Sequence, residues 1–157
     1  VENDFLEVPS TLFENWAFCK RVIQHVSGHY QEEGSPPLPP HLVDAIVTTR
    51  NAVVEEGVSS SRFISMAMFD ILAHSGPPPY SYKGAGGLSV KELFDVVMQD
   101  LNGRNAASLG PGVYYPASWY HLCTGYDAGY YSYLWSEVYA SDVFTQFSSA
   151  GDDGCFD

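Results

Sequence analysis

His121 and the tyrosines at 126, 130, 131 and 133 fall in one run, HLCTGYDAGYYSYLWSE, together with Asp127, Gly125 and Gly129. Aromatic rings alone would serve a core. Phenols add neutral hydrogen-bond donors that bring no charge, and glycines let the backbone bend, so the run asks for a role beyond packing. A second group is His25 and His29 in QHVSGHY. Spaced i and i+4, they would share one helical face and could hold a metal ion. No glutamate follows His25, and Gly28 weakens a helix just before His29. The plainer reading is two imidazoles near a helix C-terminus, where partial negative charge favours them. A third group is Glu7 in DFLEVPS, which alone reads as a solvated loop carboxylate or a first-turn charge.

The elements that must position these residues read as helices. Leu42, Ala45, Ile46, Thr49 and Val53 fall at helical spacing after Pro40, with Gly57 as a stop. Phe63, Met66, Ala67, Asp70, Ile71 and His74 continue that period over 61–74. Ser89 and Glu92 form a capping box before a face of Leu93, Val96, Val97 and Leu101. Helices are also expected after Pro9, with Leu12, Phe13 and Trp16 on the apolar side, over 20–30, and over 128–147. GSPPLPP (34–40) reads as a turn, 75–87 as a flexible Pro/Gly-rich insertion, 102–112 as a loop and 148–157 as a polar tail, in which GDDG is too short for an EF-hand loop. Strands have room only near Val113–Tyr115 and at the extreme N-terminus. The fold class is all-α, with little or no sheet.

Composition narrows the function. The 157 residues suffice for one core, and 45% of them are apolar. A formal charge of −12 argues against nucleic acid or an anionic membrane as partner. Cys19, Cys123 and Cys155 form no CxxC pair, so neither a zinc ribbon nor a disulfide framework is supported, and a reducing, cytoplasmic setting fits. The chain begins VENDFLEVPS, without Met, and reads as a piece of something longer.

The segment NDFLEVPSTLFENW resembles one in the thimet oligopeptidase family of zinc peptidases, where DF-x-E-x-PS-x-x-x-E-x-W follows an HExxH helix. HY at 29–30, LPPHL before a helix, MFD at 68–70 with a nearby histidine, and ELFD at 92–95 fall in that family's order. The aromatic run matches its H-L-x-x-G-Y-x-A-x-Y-Y-x-Y-L-W-x-E signature. The resemblance implies part of a zincin-type catalytic domain over residues 1–157 that acts on short peptides. It implies that Glu7 is the third zinc ligand, and that His121, Tyr126 and Tyr133 contact substrate and oxyanion. Tyr130, Gly125 and Gly129 would lie on the substrate side, while Tyr131 and Trp135 would belong to the core. Donors aimed at a developing oxyanion stabilise the transition state, and the glycines would let the loop move. HExxH is absent from the sequence, so this chain alone is expected to be inactive unless a second polypeptide supplies that half. Two other readings are a non-catalytic helical interaction module, and an independent metal-binding protein built on His25 and His29.

Overall fold

A computed structural model describes residues 2–55, 58–103 and 114–148. The elements are α1 (Asn3–Leu6), α2 (Val8–Glu14), a 3₁₀ turn (Asn15–Phe18), α3 (Lys20–Val26), α4 (Pro40–Glu55), α5 (Val58–His74), β1 (Tyr80–Tyr82), β2 (Ala85–Leu88), α6 (Val90–Asn102), α7 (Tyr115–Ser118), a 3₁₀ turn (Tyr120–Cys123) and α8 (Ser132–Ser148). The architecture is mainly α, as the 3.6-residue periodicity predicts. Two compact units are present: Val1–Phe5 with Gly57–Trp135, and Leu6–Glu56 with Ser136–Asp157.

In the first unit α5 packs on α6. The α6 start follows the expected capping box: Ser89 Oγ accepts from the Glu92 N–H at 3.3 Å, and Glu92 Oε2 accepts from the Ser89 N–H at 2.8 Å. Hydrogen bonds from the Ser89 hydroxyl and its backbone N–H hold the Glu92 carboxyl below its ordinary range. Gly103 ends the helix at φ +62, a left-handed position open to glycine. Leu93 and Val97 are fully buried as expected, and Phe94 and Met98 join them. On α5 the buried set is Ser65, Met66, Ala67, Phe69 and Asp70, whereas Ile71 is exposed. Phe69 meets the edge of Phe94 with centroids 5.1 Å apart.

Residues 75–87, expected as a flexible insertion, carry most of a hairpin. Lys83 (φ 45) and Gly84 (φ 89) form its two-residue turn between paired Tyr82 and Ala85. Positive φ at both central positions suits the strand twist. Tyr80 and Tyr82 lean on the core, and Tyr80 donates to the Ala73 carbonyl at 3.2 Å. The other places left open for strands are not strands: residues 3–6 and 8–14 are helical with Glu7 a turn between them, Tyr115 opens α7, and Val113 lies outside the described residues.

In the second unit α3 and α4 pack together. Arg50 donates to Asn15 Oδ1 at 3.0 Å and lies 4.4 Å over the Phe18 ring. Trp16 meets Phe144 and Phe147 edge-on at 5.1 and 5.0 Å. Among the described side chains of α4 the buried one is Val43, while Leu42 and Ile46 of the expected face are 43% and 40% exposed. α4 is apolar on more than one side, so spacing alone could not choose between faces. Cys19 is disulfide-bonded, against the expectation drawn from cysteine spacing. α8 starts at Ser132, not 128, because Ala128 is left-handed (φ 56) and cannot begin a helix. Its fully buried residues are small, Ser132, Ser136 and Ala140. Tyr131 and Trp135, expected in the core, are 40% and 50% exposed.

Candidate functional site

The segment from Trp119 to Tyr133 is held at both ends and in the middle. Trp119 is buried, and the 3₁₀ turn after it carries His121. Gly125 then takes φ 91, which glycine tolerates and other residues resist. The Gly129 N–H donates to the Tyr126 carbonyl at 2.8 Å, and the Ser132 N–H to the Gly129 carbonyl at 3.0 Å, leading into α8. From α5 the fully buried Asp70 reaches this turn: Oδ1 accepts from the Ala128 N–H at 3.0 Å and Oδ2 from the Tyr130 N–H at 2.9 Å. His74 Nδ1 lies 2.9 Å from Asp70 Oδ1 and 2.9 Å from the Asp70 carbonyl. Both neighbours are acceptors, so that nitrogen bears the proton.

The rings fall into two environments. Tyr126 and Tyr133 stack at 5.4 Å with planes 16° apart, and His121 stands edge-on to them at 5.6 and 6.1 Å. Tyr130 is sealed, with Trp119 edge-on at 4.5 Å and Phe63 stacked at 5.9 Å. Burial, then the neighbouring Tyr133, pushes its phenol up to about 12. The exposed Tyr120 stacks on His121 at 4.1 Å. His121 Nδ1, Trp119 Nε1 and Ser132 Oγ are buried with no hydrogen-bond partner among the described residues. Cys123, at the end of the 3₁₀ turn, is an exposed free thiol.

The predicted loop residues His121, Tyr126, Tyr130 and Tyr133 thus form one ring cluster, with Tyr130 on its core side. Glu7 belongs to the other unit. It immediately precedes α2, and its Oε2 accepts from Ser10 Oγ at 2.8 Å. Among the described residues no three of His, Cys, Asp and Glu converge to hold a metal ion. One carboxylate does not make a tetrahedral zinc site, so these residues alone do not fit zinc. His25 lies in the last turn of α3, which ends at Val26, and His29 stands beyond it, stacked on Tyr30 at 5.3 Å. The shared helical face that would have aligned the two histidines is therefore not formed. What spacing did not reveal is the use of Asp70, Trp119 and Phe63 to support the loop. The available signal was an acid and a histidine four residues apart on the apolar face of α5.

This chain belongs to peptidase family M3, whose sequence pattern matches residues 1–154. Among its relatives are a thimet-like oligopeptidase of Dictyostelium discoideum, 37% identical over 96% of this chain and 21% of the relative, and oligopeptidase A of Escherichia coli, 33% identical over 94% and 20%. Saccharolysin of Saccharomyces cerevisiae is 29% identical over 92% and 19%. The chain spans about a fifth of the length of these relatives. No helix among the described residues is long and apolar enough to cross a membrane.

Proposed function

We propose that this chain forms part of the catalytic region of a zinc oligopeptidase that hydrolyses short peptides. The observation that carries the reading is the joint cluster of His121, Tyr126 and Tyr133, two stacked phenols under one imidazole, at the motif that resembles the family's substrate loop. Glu7 would supply one carboxylate to the metal, with the remaining ligands coming from outside this sequence, and the chemistry a bound zinc would contribute is polarisation of the scissile carbonyl and activation of water.

The chain's own residues do the rest. Tyr126 and Tyr133 donate hydrogen bonds to the oxyanion of the tetrahedral intermediate, and as neutral phenols they do so without competing charge. His121 contacts substrate and orients Tyr126 and Tyr133 through ring packing. Tyr130 supports them from the core side of the substrate loop. Gly125 and Gly129 let the segment turn closely beside a bound peptide.

The test is steady-state kinetics on a short peptide, with zinc content measured in parallel, on a protein holding this chain together with an HExxH portion. Tyr126→Phe and Tyr133→Phe should keep zinc and lose about 2–4 kcal/mol of transition-state stabilisation, seen in kcat more than KM. Glu7→Ala should lose zinc. Wild-type kcat in both phenylalanine variants, or full zinc occupancy in Glu7→Ala, would sink the corresponding assignment.

A further inference from the structure

We infer that Asp70 is a positioning residue for the tyrosine-bearing loop and that His74 holds it in that role; this deepens the reading above and rests on it. Asp70 is fully buried on α5, beside the core residue Phe69. A buried carboxylate is costly unless its oxygens are occupied by donors. Here the donors are the backbone amides of Ala128 and Tyr130, at 3.0 and 2.9 Å, and the Nδ1–H of His74 at 2.9 Å. Those amides lie 58 and 60 residues along the chain. One side chain therefore ties a rigid helix to a remote turn.

The turn needs the tie. Ala128 sits at φ 56, a region that disfavours residues with a Cβ. Its own N–H is one of the two amides Asp70 captures, and the Tyr130 amide closes the far side of Gly129. Tyr126 precedes this bracket and Tyr133 follows it, so the bracket sets the register in which their rings stack at 5.4 Å. Loss of the tie would leave both rings on a turn free to relax. A displacement of about 1 Å in groups that face a reacting centre can cost on the order of 10²-fold in rate. His74 is 32% exposed and donates from α5 into the same carboxylate, fixing Oδ1 toward Ala128.

The experiment combines amide hydrogen exchange with steady-state peptide hydrolysis in the full-length zinc-loaded protein. In Asp70→Asn the amides of Ala128 and Tyr130 should exchange at least about tenfold faster, while those of α6 keep their protection. Zinc content should be unchanged, and kcat should fall on the order of 10²-fold with KM moving by less than about threefold. His74→Ala should act in the same direction with a smaller effect, and it decides the matter if Asp70→Asn does not fold. Asp100→Asn, a surface carboxylate bonded to Lys83 and Tyr82, is the control that should change none of these readings. Unchanged exchange at Ala128 and Tyr130 overturns the proposal. So does faster exchange spread equally over α6, or a local change with wild-type kcat and KM. A wild-type protein without peptidase activity overturns the functional reading instead, and the exchange measurement alone then decides whether Asp70 anchors the turn.

Discussion

The loop from His121 to Tyr133 and the segment around Glu7 differ in the reach of the hydrogen bonds that Asp70 and Ser10 make to them. The loop's backbone is gripped by a carboxylate 58 and 60 residues away, and its rings rest on Trp119 and Phe63. At Glu7 the bonds from Ser10 are local: the one Ser10 hydroxyl proton is shared between the Glu7 carbonyl at 2.9 Å and its carboxylate at 2.8 Å. Phe5 and Leu6 just before it are 49% and 47% exposed. A long-range tie makes a conformation cooperative with the core, whereas an i,i+3 bond at the surface costs little to break. The loop is thus built as a fixed surface, held from α5 as well as from within.

The largest effect expected at neutral pH is on stability at the anchor. Asp70→Ala takes the side-chain acceptor from the buried Tyr130 amide and the part-buried Ala128 amide, leaves His74 only the backbone carbonyl of residue 70, and should cost roughly 2–3 kcal/mol in chemical denaturation. Glu7→Ala in the same assay, on the metal-free chain, should cost under about 1 kcal/mol. Equal losses would erase the contrast. Next comes Tyr130. Its phenol is raised by burial to about 12 in the fold, against about 10 when unfolded. The fold therefore favours the neutral form. That contribution is complete below pH 10 and is lost as pH rises from about 10 to about 12, amounting to about 3 kcal/mol. Tyr130→Phe should flatten that part of the stability profile, and an unchanged slope would show that the ring is not sealed.

Smaller changes sharpen the loop itself. Gly125 at φ 91 should resist a side chain, so Gly125→Ala should lower thermal stability by about 1–2 kcal/mol. At Gly129 the constraint is milder: a Cβ would stand 3.4 Å from the Tyr126 carbonyl oxygen, and Gly129→Ala should cost less than Gly125→Ala. The reverse order would mean that close approach, not φ, governs the turn. Smallest of all, Ser10→Ala removes an exposed hydroxyl from Glu7 and should shift stability by no more than about 0.5 kcal/mol.

Where a segment carries its own punctuation, its ends can be read from the sequence. Ser89, Glu92 and Gly103 mark both ends of α6, so its boundaries follow directly; of the expected face Leu93 and Val97 are buried, while Phe94 and Met98 take the places expected for Val96 and Leu101. α4 has no one-sided bias: Leu42, Val43, Ile46 and Val47 spread apolar character around the helix, and nothing in their spacing singles out Val43 as the buried one. The late start of α8 is hidden because nothing in an alanine announces φ 56; the hydrogen bond that holds it there runs from its N–H to Asp70, far away in sequence. Lys83–Gly84 is a weaker turn signal than Asn-Gly, which conceals the hairpin inside a Pro/Gly-rich stretch. The candidate site is legible as motifs. Its ring cluster is not, because which tyrosine turns inward depends on the same remote tie. Burial among small residues in α8 likewise reverses the expected roles of Tyr131 and Trp135.

Cys123 gives the loop a practical handle. Its thiol is free and exposed, at the end of the turn that carries His121 and ahead of Gly125. A maleimide fluorophore attached there would ride on the tyrosine segment itself, with no engineered cysteine needed at that position. Its anisotropy would register release of the turn as a change in local tumbling, in real time and without substrate.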